Sequence, residues 1–316
     1  MISSPHHPPA RVRVAGAALA AVGGVAFAVQ GRVNGQLGQL MHDGVFAALI
    51  SFAVGAVLLV VAVSSTPSAR AGLLRLRTSV RGGRLSVWQC LGGASGAWVV
   101  TTQSLTVSIL GVAVFTVAVV AGQTVAGLVV DRRGVGPGEA RPVTPTRTAG
   151  AAITVLAVAV AVSDRVALGD AAGLWWALLP ALAGVGLAWQ LAVNGLVRVE
   201  SANVVVPTMV NFAVGTIVLV LAAAVDLAVR GWPQAPPDDW WLYTGGVLGI
   251  VAVLTAVTAV RFTGVLLLGL GSVAGQLAGA VVLDAVVPSP GAALSATSVI
   301  GAVLTMVAVG VAAVRR

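Results

Sequence analysis

The sequence predicts an all-α membrane protein with ten transmembrane helices, arranged as two inverted five-helix repeats with both termini in the cytoplasm. Three observations lead to this prediction: the amino-acid composition, an internal repeat, and the distribution of arginines along the chain. Of the 316 residues, 58% are hydrophobic and only 9% are charged. Soluble domains carry about 25% charged residues, so a surface with so few charges is suited to lipid rather than to water.

Apolar blocks of membrane-spanning length follow one another along the chain, separated by charged, glycine or proline residues. These unbroken runs indicate helices, because the strands of a transmembrane barrel alternate polar and apolar residues. The ten predicted spans are 12–31, 45–63, 86–104, 110–130, 147–163, 174–192, 204–225, 241–260, 264–283 and 296–314.

An internal repeat relates the two halves of the chain. Residues 19–61 align with residues 179–221 without a gap, at 16 identical positions of 43. The alignment pairs Asn34 with Asn194 and places Ser51 opposite Asn211, so the halves differ there. The repeat therefore predicts two copies of one five-helix unit, and an odd number of spans makes the second copy enter the membrane from the opposite side.

The resulting domain boundaries are a flexible tail at 1–11, a first repeat at 12–163, a linker at 164–173 and a second repeat at 174–314. The first apolar block also has features of a signal peptide with a cleavage site near Ala28. Because the same segment recurs in mid-chain, we expect it to be a structural helix of the mature protein.

The arginines support this topology independently. All 18 Lys or Arg residues are arginines, and the ten-span arrangement places 15 of them on the cytoplasmic side and three outside, Arg32, Arg165 and Arg230. Such a bias is the positive-inside rule. It also explains the net charge of +8 without nucleic-acid binding, which we do not expect because no aromatic residues accompany the basic ones.

Charged side chains are absent from the middle of every predicted span. Enzymes of the membrane need a catalytic carboxylate, histidine or metal set, so we expect no enzymatic activity, no catalytic residues, no metal site and no cofactor. The single cysteine, Cys90, excludes an intrachain disulfide and a thiolate metal site.

Neutral polar side chains remain inside the predicted spans, and they are the candidates for a substrate cavity. A buried amide must bond another helix, water or a ligand, so each one serves either helix packing or solute binding. The candidates are Gln123, Gln276, Gln30, Gln190, Asn34, Asn194 and Asn211, to which we add Trp98 and Trp189 as aromatics within spans. Gln103 is a further amide, without a counterpart in the second repeat.

Gln123 and Gln276 rank first among these candidates because they lie nearest to mid-span and match one another in the repeat. A stripe of small residues runs beside them, which favours close helix packing. The glycines of this stripe are Gly122 in the first repeat and Gly271, Gly275 and Gly279 in the second.

The segments Ala121–Asp131, Ala274–Asp284 and Asn211–Gly215 resemble the YdcZ-type family of the drug/metabolite transporter superfamily. Small members of that family are single five-helix units, and this chain resembles two of them fused. The resemblance implies a plasma-membrane transporter, an exporter or a facilitator, that works by alternating access. A related branch couples export to protons through a carboxylate in its first helix, and this chain has no acid there, so that mechanism is not carried over.

The sequence thus leaves two functions open. The favoured one is a secondary transporter of the bacterial inner membrane that moves a small solute through a neutral polar cavity between the repeats, with flipping of a lipid-linked substrate as a variant. The alternative is a non-transporting membrane scaffold, in which the amides only join helices. The expected partners are membrane lipids and a small-molecule solute, and a homodimer is compatible with the sequence.

Overall fold

The computed structural model describes residues 10–137, 140, 142–167, 172–288 and 294–313, and every regular element formed by these residues is helical. Short 3₁₀ turns precede α4 and α9. The helices are α1 Ala10–Leu40, α2 Gly44–Ser65, α3 Pro67–Arg81, α4 Gly92–Leu110, α5 Val112–Arg132, α6 Pro145–Ala167, α7 Ala172–Ser201, α8 Val205–Arg230, α9 Gly245–Val286 and α10 Ala296–Ala313. The predicted tail lies largely outside the described residues, as do residues 168–171 in the middle of the predicted linker.

Seven stretches among the described residues are long and apolar enough to cross a membrane. They lie in α1, α2, α5, α6, α7, α8 and the second part of α9. Two further apolar helices, Gly245–Ala256 and Ala296–Ala312, are shorter. The all-helical, multi-pass character of the prediction is confirmed, whereas the count of ten spans stays a prediction.

α9 is a single helical element of 42 residues where the sequence predicts the eighth and ninth spans. Its two parts contact adjacent residues of α1, since Gly23 lies against Thr255 and Gly24 lies against Ser272. In a straight helix these two α9 residues would be about 25 Å apart, at 1.5 Å per residue. α9 is therefore bent into two arms, and helical hydrogen bonding continues because no proline interrupts its sequence.

α3 is a helix within the segment that the sequence analysis treats as an arginine-rich connection. Its buried residues, among them Ala69 and Leu76, recur with helical spacing and face the bundle. Arg75 Nε donates to the carbonyl oxygen of Ser201, at the end of α7, at 2.9 Å. α3 thus lies across one end of the bundle, which we call the α3 end.

The opposite end, which we call the Arg32 end, is where α2 begins and α8 ends. Asp43 immediately before α2 forms an ion pair with Arg230 at the last position of α8, at 3.4 Å. α2 and α8 match one another in the internal repeat, yet they run in opposite directions.

The two halves of the chain interlock rather than lie side by side. α1 packs mainly against α9, α7 packs against α4 and α5, α2 packs against α8, and α6 packs against α10. Glycines allow the backbones to touch at two matching places. A Cβ on Gly24 would lie 2.1 Å from the carbonyl oxygen of Ser272, and a Cβ on Gly184 would lie 2.0 Å from that of Val119.

Replacing Gly184 by alanine is expected to destabilise the protein, because the added methyl group would force α7 away from α5. Overpacking of this kind costs about 1–3 kcal/mol. The measurement is the midpoint of thermal unfolding in detergent. Gly127→Ala, also on α5, is the matched control because no atom of the described residues outside its own turn lies within 4 Å of its Cβ position. Equal midpoints for the two variants would contradict the close approach.

Candidate functional site

A first group of buried polar side chains lies where α1, α2, α4 and α9 meet. It consists of Asn34, Ser51 and Gln103 around Gly245, and we call it the Asn34 cluster. Asn34 Nδ2 donates to Gln103 Oε1 at 2.9 Å, and both side chains are fully buried. A Cβ on Gly245 would lie 2.2 Å from Asn34 Oδ1 and 2.7 Å from Ser51 Oγ, so the glycine makes room for these polar groups.

A second group lies where α4, α7 and α8 meet. It consists of Gly92, Asn194 and Asn211, and we call it the Asn211 cluster. Asn194 and Asn211 match Asn34 and Ser51 in the internal repeat, and Gly92 begins α4 as Gly245 begins α9. A Cβ on Gly92 would lie 3.1 Å from the Oδ1 atoms of both asparagines. Asn211 is buried and Asn194 is half-buried.

Matching turns before α2 and α8 position the two clusters. Asp43 Oδ1 accepts hydrogen bonds from two backbone N–H groups at the start of α2, and Asn203 Oδ1 does the same at the start of α8. Such side-chain oxygens fix where a helix begins. Ser51 and Asn211, each eight residues further along, therefore enter the bundle at equivalent places.

The two clusters meet at a pair of aromatic rings. Phe52 directly follows Ser51, Phe212 directly follows Asn211, and the two ring centroids are 4.9 Å apart. A second set of contacts is reciprocal. A Cβ added to Gly215 would overlap the ring of Phe52, and a Cβ added to Gly55 would overlap the ring of Phe212. Reciprocal contacts of this kind are the signature of a two-fold relation between the two partners.

Gln30 and Gln190 accompany the two clusters on α1 and α7. A Cβ on Gly249 would lie 2.9 Å from Gln30 Nε2, and a Cβ on Gly96 would lie 3.2 Å from Gln190 Nε2. Both glutamines are buried. They are one helical turn from the asparagines Asn34 and Asn194, so each cluster has an amide on the adjacent turn.

Several polar atoms of these residues have no hydrogen-bond partner in the part of the protein that the structure describes. They are Asn34 Oδ1, Ser51 Oγ, Gln103 Nε2, Gln190 Oε1, and both Nδ2 and Oδ1 of Asn211. Leaving a buried polar group unpaired costs about 1–3 kcal/mol. The set contains donors and acceptors but no charge, so it can hydrogen-bond a neutral or zwitterionic polar solute.

Gln123 and Gln276, which the sequence ranks first, belong to different helix pairs. The backbone of Gln123 lies against Gly184 of α7, and its side chain is half-buried. Gln276 is buried against α1, and its Nε2 donates to Ser272 Oγ at 3.2 Å within its own helix. None of the described contacts joins the two glutamines. Gln276 Oε1 is buried without a hydrogen-bond partner among the described residues, but most of the unpaired amide atoms belong to the two clusters and Gln190.

The two candidate tryptophans lie outside the clusters. Trp98 is 42% exposed on α4. Trp189 on α7 is half-buried and stacks on Trp88, with ring centroids 6.4 Å apart and an interplanar angle of 16°. The candidate glycines Gly122 and Gly275 lie against backbone of α7 and α1, and Gly271 and Gly279 lie against α1 as well.

Sequence reasoning gave no weight to two buried charged residues near the Arg32 end. Asp284 accepts hydrogen bonds from the backbone N–H groups of Val112 at 3.0 Å and Ala113 at 2.7 Å, at the start of α5. Arg32 is buried nearby and donates from Nη2 to the carbonyl oxygen of Pro288 at 2.8 Å. Asp284 is the last residue of the segment Ala274–Asp284 named in the sequence analysis, but the predicted spans end before both residues.

A metal centre finds no support in the part of the chain that the structure describes, where no three His, Cys, Asp or Glu side chains group together. Of the cluster residues that the sequence did not rank, only Ser51 could be found from the sequence. The repeat alignment places Ser51 opposite Asn211, whereas only the packing of α4 against α1 shows the importance of Gln103.

Substitutions in the Asn34 cluster are expected to have opposite effects. Asn34→Ala removes the partner of Gln103 Oε1 and should destabilise the protein by about 1–3 kcal/mol. Ser51→Ala removes an unpaired buried hydroxyl and should leave stability unchanged or raise it by up to about 1 kcal/mol. The change in stability of each variant is measured as the shift of its thermal unfolding midpoint from that of the wild type, in the same detergent. A Ser51→Ala variant as unstable as Asn34→Ala would show that the hydroxyl has a partner.

A family model described as "Putative inner membrane exporter, YdcZ" matches the chain twice, at residues 15–160 and 175–311. No curated protein matches the chain. The two matches together cover most of the sequence, and each covers one half of the internal repeat. The chain therefore belongs to the YdcZ family of the drug/metabolite transporters, as a multi-pass inner-membrane protein with two units of that family in succession.

Proposed function

We propose that this protein is a secondary transporter that moves a small polar solute across the inner membrane by alternating access. The Asn34 and Asn211 clusters form its solute site. The observation that carries the proposal is the set of unpaired amide and hydroxyl atoms buried at the junction of the two halves. The family description as an exporter favours transport out of the cell.

Energetics favour a binding role for these atoms over a role in packing alone. Amides that only join helices are expected to bond one another, as Asn34 and Gln103 do through one pair of atoms. Asn211 instead has both its polar atoms unpaired while it is 4% exposed. Burying these atoms without partners destabilises the folded protein. A solute that forms the missing hydrogen bonds removes this destabilisation, which favours solute binding.

The matching environments of the two clusters suit alternating access. In the proposal, the chain crosses the membrane ten times with both termini in the cytoplasm, and the α3 end faces the cytoplasm. This topology is supported by the antiparallel course of α2 and α8, by the two arms of α9, and by the bias of 15 arginines against three. Inverted repeats can exchange conformations, so that one cluster opens as the other closes.

Coupling through a carboxylate at the clusters is not part of this proposal. The clusters contain no acidic residue, and the nearby buried acids have structural roles. Asp43 bonds the start of α2 and Arg230, and Asp284 bonds the start of α5. Solute movement is therefore driven by the solute gradient or by an ion bound at neutral oxygens.

A non-transporting scaffold is the second candidate, and the direct bond between Asn34 and Gln103 favours it. In a scaffold the cluster residues would matter for stability alone. A transporter additionally needs them for ligand binding, which separates the two functions experimentally.

The test is a thermal-shift screen of the purified protein against amines, amino acids, nucleobases and lipid precursors. A solute at 100 times its dissociation constant should stabilise the folded state by about 2.7 kcal/mol. We expect Asn211→Ala to abolish the shift while it keeps the unfolding midpoint of the free protein. Thr305→Val is the matched control, since Thr305 is a buried hydroxyl on α10 that bonds its own helix.

Uptake of the same solute into proteoliposomes then decides between the candidates. Accumulation by the wild type and by Thr305→Val, but not by Asn211→Ala, supports transport. A screen without any stabilising solute, or a shift that Asn211→Ala retains, would favour the scaffold. Stabilisation by lipid precursors alone would favour the flippase variant.

A further inference from the structure

A cavity of about 540 Å³ lies at the Arg32 end, outside the two clusters. It is bounded by α1, the end of α4, the segment before the second 3₁₀ turn, and the end of α9. Pockets that bind small organic molecules have volumes of about 300–1,000 Å³. The polar residues that line it are Arg32, Gln36, Gln39, His42, Ser108 and Gln234.

The described lining contains one permanently charged side chain, Arg32, and no carboxylate. Arg32 and Gln36 are four residues apart on α1, so both face the cavity from one side of that helix. The bond from Arg32 Nη2 to the carbonyl oxygen of Pro288 holds the guanidinium at the cavity wall. The burial of Arg32, which is 9% exposed, reduces the screening of its charge by bulk water.

Acidic residues near the Arg32 end do not belong to the described lining of the cavity. Asp284 interacts electrostatically with Arg32, and its two oxygen atoms accept hydrogen bonds from the backbone N–H groups of Val112 and Ala113. Asp43 follows the cavity residue His42 and shares Arg230 with Asp226. The helix end of α1 adds a partial negative charge of about half a unit, which is smaller than the charge of the guanidinium.

We propose that this cavity is a binding vestibule for a small organic anion, a solute with a carboxylate or phosphate group that Arg32 recognises. Guanidinium groups bind both of these anions through paired N–H donors. The amides of Gln36, Gln39 and Gln234 provide hydrogen bonds for the polar remainder of the solute. The assignment of the vestibule as the outer mouth of the solute path rests on the proposed function, whereas its preference for anions does not.

The vestibule and the clusters would then have different tasks. Arg32 and Asn34 are two residues apart on α1 and project from different sides of the helix, one toward the cavity and the other toward Gln103. The charge of the solute is recognised at the vestibule, and its neutral part is recognised at the clusters. This inference narrows the solute of the proposed transporter to an organic anion or a zwitterion.

The electrostatic potential of the vestibule can be measured with a single introduced thiol. Cys90 is the only cysteine of the chain, so Cys90→Ser gives a thiol-free background. Ser108→Cys in that background places one thiol at the cavity wall. This thiol is labelled with an anionic reagent, sulfonatoethyl methanethiosulfonate, and with a cationic one, trimethylammonioethyl methanethiosulfonate. The measured quantity is the rate with the anionic reagent divided by the rate with the cationic one, normalised to the same ratio for free 2-mercaptoethanol.

We expect the anionic reagent to react roughly tenfold faster than the cationic one after normalisation, from one nearby charge in a partly water-filled site. Arg32→Gln should remove most of this preference. Arg75→Gln is the matched control, because it removes an equal charge from α3, at the opposite end of the bundle, from a residue that does not line the cavity. Inorganic phosphate and acetate should slow labelling in the parent and not in Arg32→Gln.

Two further variants test the proposal if Arg32→Gln does not fold. Gln36→Glu puts a carboxylate into the cavity beside Arg32 and should cancel the preference, and Gln39→Arg should increase it. A ratio near one or in favour of the cation in the parent protein would overturn the proposal. A ratio that Arg32→Gln and Gln36→Glu both leave unchanged would overturn it as well.

The same measurement separates this proposal from the proposed function. In Asn211→Ala the anion preference should persist even though solute binding at the clusters is lost. If no solute is transported but the preference is present and depends on Arg32, the vestibule stands and the transporter assignment fails. If transport depends on Asn211 but the ratio is near one, the transporter stands and the vestibule fails.

Discussion

Contact between backbones across the two halves of the chain is the constraint on which the other features depend. At Gly24 and Gly184 a helix of one half lies so close to a helix of the other that no Cβ fits between them. Lipid provides no hydrophobic force to hold helices together, so such close packing is a main source of cohesion in a membrane. Because each half packs on the other, neither can form its own complete core.

The polar clusters follow from this interlocking. Gly92 and Gly245 occupy matching places at the junctions of the halves, and there the missing side chains leave space that amides fill. Glycine therefore allows close backbone contact at some positions of the bundle and leaves space for polar side chains at others. What differs is the group opposite the glycine, which is a carbonyl oxygen in one case and an asparagine side chain in the other.

Much of the fold could be predicted from the sequence, because lipid imposes helices and the repeat aligns Ser51 with Asn211. The ranking within the candidate site stays a prediction. Gln123 and Gln276 were preferred for their depth in the membrane, but depth along a helix does not specify which neighbour a side chain faces. Gln103 lacked a repeat counterpart, and its role emerged only from its bond to Asn34. Likewise, the bend of α9 has no proline to mark it.

The contact between Phe52 and Phe212 bears on the electrical insulation of the membrane. Polar clusters on either side of the aromatic pair attract water, and a continuous file of water would conduct protons. Each proton that crosses dissipates about 2.3 kcal/mol per 100 mV of membrane potential. Two rings in contact, with centroids 4.9 Å apart, leave no room for a water molecule between them. The aromatic pair thus separates the polar groups on its two sides and interrupts a path for proton leakage between them.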